Sequence, residues 1–145
     1  MLARLCELAT RANITILLEP LAKSLCNRWL GIPENFEYAK KSGISNLKTL
    51  IDYRWFLEEK HSFSIVEEHA DFIQHAHIDN PLSPFPTRFV PAVGGGHDYS
   101  PLFNVLKKNC YKGISAIEAN SSTDFPADLK RGLELFASHG ITPYR

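Results

Sequence analysis

The sequence has 145 residues, of which 16 are Lys or Arg and 16 are Asp or Glu, so its formal net charge is zero. The apolar fraction of 44% and the charged fraction of 22% match a globular domain and argue against a disordered or fibrous chain. The zero net charge argues against a strongly basic nucleic-acid surface, and no run approaches the roughly 18 apolar residues of a membrane helix. Charged residues interrupt the N-terminus, which is therefore not expected to be a signal peptide. Three scattered cysteines without CxxC spacing predict reduced thiols in a cytoplasmic protein.

Short apolar runs rich in β-branched residues alternate with helical patterns. The chain begins with a helix predicted over Met1–Ala12, in which leucines recur at steps of three to four residues. Four buried strands are then predicted, each followed at once by a polar side chain. In chain order they are Ile14–Leu18 before Glu19, Leu47–Ile51 before Asp52, Asp71–Ala76 before His77-Ile78-Asp79, and Gly113–Ile117 before Glu118.

Helices are predicted around Phe36–Lys41, from Ser64, from Ser100, and along a last apolar stripe that ends near Gly140. Alternating strands and helices predict an α/β fold of parallel βα units in a single domain over residues 1–145. The segment Asn80–Asp98 is the one long predicted loop. A loop of that length inside a compact domain usually has a function.

The carboxyl ends of parallel strands lie at one edge of a sheet, where active sites of α/β folds are assembled. Glu19, Asp52, His77 and Glu118 are therefore expected to meet there. Three carboxylates and one imidazole would repel one another unless a cation joined them, and this donor set favours Mn²⁺, Mg²⁺ or Co²⁺, with Zn²⁺ as an alternative. His75 points to the same side of its strand as His77 and competes with it as the ligand.

Several motifs in order resemble the C-terminal half of the xylose isomerase-like TIM barrels, and within them the sugar phosphate isomerase/epimerase family. The resemblance covers nearly the whole chain and implies about four βα units of a (β/α)8 barrel. The segments that carry it are Ile16-Leu17-Leu18-Glu19-Pro20, Asp52-Tyr53-Arg54-Trp55, His75-Ala76-His77-Ile78-Asp79-Asn80, Gly94-Gly95-Gly96-His97-Asp98-Tyr99 and the run from Leu106 to Glu118.

The resemblance implies that Glu19, Asp52, His77 and Glu118 bind one divalent metal. It also implies that Glu19 and Glu118 are the catalytic acid and base of a sugar or sugar-phosphate isomerase or epimerase. One glutamate would remove the proton beside the substrate carbonyl, giving an enediolate, and the other would return it.

Two further residues are expected to bind substrate. Arg88, in the long loop, would hold sugar hydroxyls or a phosphate; its alternative is a solvated loop arginine. Trp55 stands three residues after Asp52, where family members commonly carry a histidine. A tryptophan cannot bind metal, so Trp55 would stack on the sugar or simply fill space.

A complete barrel of this kind needs about 250 residues and eight strands. The short chain therefore predicts either self-association or a missing N-terminal half. Its expected partner is a small-molecule sugar, with no membrane and no nucleic acid. Three alternatives stay open: a truncated or inactive isomerase, an apurinic-site endonuclease-like metal-dependent phosphodiesterase, and a non-catalytic half-barrel remnant.

Overall fold

The computed structural model describes residues 1–22, 24–26 and 31–142. The strands are β1 (Ile16–Leu18), β2 (Leu47–Asp52), β3 (Ile73–Ile78) and β4 (Ile114–Ile117). The helices are α1 (Leu2–Arg11), α2 (Ile32–Ser42), α3 (Tyr53–Glu58), α4 (Ser64–Glu68), α5 (Ser100–Lys108) and α6 (Phe125–Ser138), with a 3₁₀ turn over Ala70–Phe72. No helix among these residues is long and apolar enough to span a bilayer.

The four strands form one parallel sheet in the order β1-β2-β3-β4, so each strand lies beside its neighbour in sequence. The register pairs Asp52 with His77 and Ile78 with Ile117. The last residues of β2, β3 and β4 therefore lie side by side. Four parallel strands with helices between them are half of a (β/α)8 barrel, as the sequence predicted.

The main core lies between β2, β3 and the helices from α2 to α6. Its largest fully buried members are aromatic or branched side chains, namely Phe36, Ile51, Tyr53, Phe56, Ile78, Tyr99, Leu102 and Phe103. A smaller cluster of Cys6, Ala39 and Leu47 joins α1 and α2 to the start of β2. The packing fixes the middle of the sheet and leaves its two outer strands less covered.

The outer edges of β1 and β4 have no strand partner among the described residues. Ile14, just before β1, is 54% exposed, and Ile114 in β4 is 56% exposed. An open groove of about 570 Å³ lies beside the start of β4, between α5 and residues 140–142. Unpaired strand edges with apolar flanks invite pairing with further polypeptide.

The elements differ from the sequence expectations most clearly at three places. β1 begins at Ile16 rather than Ile14. β3 begins at Ile73 rather than Asp71 because Ala70–Phe72 form the 3₁₀ turn, and it continues through His77 to Ile78. α3 was not expected from the sequence; it begins directly after β2 because the Asp52 carboxylate accepts a hydrogen bond from the Trp55 amide at 3.3 Å.

Gly113, directly before β4, allows the chain to approach β3 closely. A Cβ at this position would lie 2.2 Å from the carbonyl oxygen of Gln74 and 2.5 Å from the Tyr111 hydroxyl. Because backbone cannot yield as a flexible side chain does, Gly113→Ala is expected to lower the free energy of unfolding by about 3 kcal/mol. Urea denaturation measures the free energy of unfolding. Gly96→Ala is the control, since a Cβ at that position meets nothing within 4 Å. Equal stability of the two variants would contradict the argument.

Candidate metal centre

The four residues expected to bind metal meet at the carboxyl edge of the sheet. Glu19, Asp52, His77 and Glu118 each offer one donor atom, and these atoms all lie within 4.8 Å of one another. Glu19 directly follows β1, Asp52 ends β2, His77 is the penultimate residue of β3 and Glu118 directly follows β4. Parallel strands in register therefore bring together residues that are far apart in the chain.

His77 lies at the centre of this group. Its Nδ1 atom is 3.0 Å from Oε1 of Glu19 and 3.4 Å from Oε2 of Glu118. The His75 ring packs edge-on against His77 with centroids 4.9 Å apart, and His75 is not part of the group. Of the two histidines, His77 and not His75 is therefore the member of this group.

Asp52 is the buried member of the group. Its side chain has no solvent exposure, whereas those of Glu19 and Glu118 are 40% and 42% exposed. Asp52 contacts the Trp55 amide with one carboxylate oxygen and Arg88 with the other. A buried carboxylate that caps the next helix is rigidly held, while the two glutamates are open to a ligand.

Arg88 reaches from the long loop into the same group. Its Nη2 donates to Oδ2 of Asp52 at 2.7 Å, and its Nη1 donates to Oε2 of Glu118 at 2.6 Å. The guanidinium carbon lies 5.2 Å from the centroid of the Trp55 ring, a cation–π distance. The Arg88 side chain is only 11% exposed, so the alternative of a solvated loop arginine is wrong.

The Trp55 ring packs beside Arg88 and is buried rather than open to solvent. It is 5% exposed, and its ring centroid lies 5.6 Å from that of Phe85, which is 57% exposed. The indole Nε1 is buried without a hydrogen-bond partner among the described residues. Stacking of Trp55 on a sugar stays a prediction, and Phe85 is the more accessible ring of the pair.

The charges of the group set the ionisation of its members. A hydrogen bond with Glu19, aided by nearby Glu118, raises the pKa of His77 above its ordinary value, while burial alone would lower it. The same hydrogen bond lowers the pKa of Glu19. Burial raises the pKa of Asp52, although Arg88 partly offsets the effect. Glu19 is therefore held in its ionised form beside a His77 imidazole that is readily protonated.

The family model of the xylose isomerase-like TIM barrel matches residues 1–139. This chain belongs to the xylose isomerase-like TIM barrel family. A search of curated proteins found no match.

Solved structures similar to this xylose isomerase-like chain are about twice as long. The 3-keto-D-glucoside 4-epimerase YcjR from E. coli, in its apo form, has 20% identity and a TM-score of 0.75, over 94% of this chain and 51% of that chain. An L-ribulose 3-epimerase has 18% identity and a TM-score of 0.76, over 95% and 51%. An AP endonuclease of family 2 from Brucella melitensis has 22% identity and a TM-score of 0.69, over 92% and 49%. This chain therefore spans about half the length of these structures, and at such identities they establish the fold alone.

The donor set fits a divalent metal. Opposite ligands of an octahedral ion at about 2.1 Å are ~4.2 Å apart, and the four donor atoms already lie within 4.8 Å of one another. Small side-chain rotations would close that difference. Three carboxylates with one imidazole suit Mn²⁺, Mg²⁺ or Co²⁺. Asp52 and Glu118 each accept from Arg88 through one carboxylate oxygen, and each has a second oxygen.

Three residues that surround the group were not expected from the sequence to do so, namely Arg54, Asp79 and Asn120. Arg54 is 5% exposed and bonded to Asp79, which has no exposure. Asn120 donates to the carbonyl of Pro86 at 3.0 Å and accepts from the Arg88 amide at 2.8 Å. One signal was available: Arg54 stands among aromatic residues two positions after the strand-end Asp52, where a solvated arginine is out of place.

Proposed function

We propose that this chain carries the metal site of a sugar or sugar-phosphate isomerase or epimerase. The observation that carries the proposal is the convergence of Glu19, Asp52, His77 and Glu118 within 4.8 Å at the carboxyl edge of a parallel sheet. Family membership and the presence of sugar epimerases among the similar solved structures support a carbohydrate as the substrate class.

The reaction moves a proton next to a carbonyl. Glu19 and Glu118 both lie close to Nδ1 of His77, and both are partly open to solvent. One carboxylate removes the proton from the carbon beside the carbonyl, which leaves an enediolate, and the other returns a proton. Return at the neighbouring carbon, together with transfer of the hydroxyl proton from its oxygen to the former carbonyl oxygen, gives an isomer, and return at the opposite face of the same carbon gives an epimer. The lowered pKa of Glu19 keeps it in the ionised form that a base needs.

Glu19, Asp52, His77 and Glu118 would hold the cation, with Mn²⁺, Mg²⁺ or Co²⁺ favoured and Zn²⁺ as the alternative. When bound, the cation polarises the carbonyl and stabilises the charge that develops on the enediolate oxygens. Arg88, next to Asp52 and Glu118, would bind a sugar hydroxyl or a phosphate. Trp55 would back that arginine and, with Phe85, border the sugar.

The proposal is tested by proton exchange. The chain, loaded in turn with Mn²⁺, Mg²⁺, Co²⁺ or Zn²⁺, is incubated in D₂O with ketoses, ketose phosphates and 3-keto-glycosides, and NMR follows deuterium uptake beside the carbonyl. We expect uptake that requires the metal and disappears in Glu19→Gln. Glu134→Gln, an exposed glutamate of α6, should behave as wild type. Uptake that survives in Glu19→Gln, or uptake without metal, would contradict the mechanism.

Metal affinity is expected to rise with pH. The pKa of His77 lies above its ordinary value because of its hydrogen bond with Glu19, and a protonated imidazole cannot bind metal. Below that pKa, metal must displace one proton, so the apparent affinity for Mn²⁺ should fall about tenfold per pH unit. Calorimetric titration between pH 5 and 8 measures this slope. An affinity independent of pH over that range would remove His77 from the ligand set.

A metal-dependent nuclease is the second candidate, because an AP endonuclease is among the similar solved structures. The candidate centre weighs against it, since three of its four donors are carboxylates and it contains a single histidine. Phosphate contacts dominate DNA affinity, and the formal net charge is zero. Salt-dependent binding of DNA that contains an abasic site would favour the nuclease over the isomerase.

We further propose that residues 1–145 fold as a single half-barrel whose open edges, at β1 and β4, are covered by four more βα units. The free edges and the exposed Ile14 and Ile114 beside them support this. The cover is either a second copy of the chain or an N-terminal half-barrel. Light scattering of the purified chain separates the two, since a second copy doubles the mass of 16.4 kDa.

A further inference from the structure

Arg54 has an unusual set of partners for an arginine outside the candidate metal centre. It is 5% exposed, and all three of its guanidinium nitrogens donate. Nε bonds Oδ2 of Asp79 at 2.7 Å, Nη1 bonds the carbonyl of Ser83 at 2.9 Å, and Nη2 bonds the carbonyls of Asn80 and Thr87 at 2.9 and 3.3 Å. Nη2 also bonds the Ser83 hydroxyl. Every acceptor lies in residues 79–87.

These residues lead directly to Arg88. Thr87, whose carbonyl accepts from Arg54, is the residue before it. On the other side, the amide of Arg88 donates to Asn120, and its carbonyl accepts from the Asn120 amide at 3.0 Å. Residues 87 and 88 are therefore held between two anchors, Arg54 inside the fold and Asn120 beyond the end of β4.

Arg54, the inner anchor, lies on the same helical turn as the candidate metal ligand Asp52. Arg54 is the second residue of α3, and the Asp52 carboxylate caps that helix. Tyr53, the first residue of α3, meets the far part of the same loop, with its hydroxyl 2.8 Å from Nε2 of His97. The start of α3 thus contacts both parts of the loop and is capped by Asp52. The position of the loop is therefore tied to the position of this candidate metal ligand.

We propose that Arg54 is a positioning residue: it holds residues 79–87 in the shape that places the Arg88 guanidinium between Asp52 and Glu118. A planar fork with five donors can join one carboxylate and three carbonyls in a single plane, and a lysine ammonium cannot. A purely structural ion pair would need only Asp79. Five acceptors within residues 79–87, of which the last is next to Arg88, indicate that shape as well as charge is recognised.

The meaning of this inference for catalysis rests on the proposed function, but its test uses neither metal nor sugar. Phenylglyoxal modifies accessible arginines, and mass spectrometry reads the rate at each one. Arg88 is 11% exposed and Arg131 is 60% exposed in the wild type. We expect slow modification at Arg88 and fast modification at Arg131.

Arg54→Lys separates the two roles of Arg54 because it keeps a positive charge beside Asp79 and removes the fork. We expect the variant to stay folded and the Arg88 modification rate to rise about tenfold, which corresponds to ~1.4 kcal/mol of easier local opening. The rate at Arg131 should be unchanged. Arg131→Lys, which alters an ion pair with Asp128 on α6, is the matched control and should leave Arg88 protected.

A folded Arg54→Lys protein with wild-type protection at Arg88 would overturn the proposal. If that variant does not fold, Ser83→Ala decides, because it removes the hydroxyl that accepts from Arg54 and from the Phe89 amide, and keeps the ion pair of Arg54 with Asp79. The proposal then requires a smaller rise at Arg88, again with Arg131 unchanged, and no rise would overturn it. Failure of the metal and sugar experiments would leave this result standing, so the two proposals fail separately.

Discussion

Replacing Arg54 with Met is expected to lower the free energy of unfolding by about 3–5 kcal/mol, the usual cost of leaving a buried charge without its partner. The Asp79 side chain has no solvent exposure, and its Oδ1 has no hydrogen-bond partner among the described residues. Arg54 is therefore the main group that compensates its charge. Urea denaturation at pH 7, followed by circular dichroism, measures the loss.

The double variant Arg54→Met/Asp79→Asn tests the cause. Once the carboxylate is gone, most of the loss should be recovered, because an apolar or neutral pair avoids the uncompensated charge. Burial already raises the pKa of Asp79, so the deficit of Arg54→Met should shrink as the pH falls and Asp79 takes up a proton. A deficit that is the same at acidic and neutral pH, and the same in the double variant, would show that charge is not the reason.

Replacing Glu118 with Gln is expected to weaken Mn²⁺ binding by about 100-fold or more, since even supporting groups around a metal are worth 10- to 100-fold. The substitution keeps the shape of the side chain and removes the negative charge next to His77 and Arg88. Because Glu118 is 42% exposed, the fold should be little affected. Isothermal titration calorimetry at constant pH measures the affinity.

Glu67→Gln is a close control for this experiment. Glu67 is 41% exposed and paired with Lys108 at 2.9 Å, much as Glu118 is 42% exposed and paired with Arg88 at 2.6 Å. The control should bind Mn²⁺ like the wild type. If both variants keep the full affinity, Glu118 is not a ligand and the proposed metal site loses its fourth donor.

The sheet and the strand-end residues could be predicted because both follow from local pattern. Apolar runs rich in β-branched residues identify strands, and a polar residue directly after each run must lie at the carboxyl edge. This reasoning located Glu19 and Asp52 without any tertiary information. It failed for the start of β3, since Asp71 and Phe72 fit a strand pattern as well as they fit the 3₁₀ turn that they form.

The surroundings of the site could not be predicted, because their partners are distant or belong to the backbone. The carbonyls that accept from Arg54 belong to residues 26 to 33 positions away, and a sequence carries no signal for a backbone carbonyl that faces inward. Arg88 looked equally compatible with solvent, since the two carboxylates that bury it lie 36 and 30 positions away.

All four candidate ligands stand on one uninterrupted run of neighbouring strands, β1 to β4. Whatever polypeptide covers the two open edges adds none of these four ligands, but it would border the same mouth. Changes in that polypeptide would alter which molecule enters while the four candidate ligands stay as they are. The reaction type would then depend on this chain and the choice of substrate on the polypeptide that covers its edges at β1 and β4.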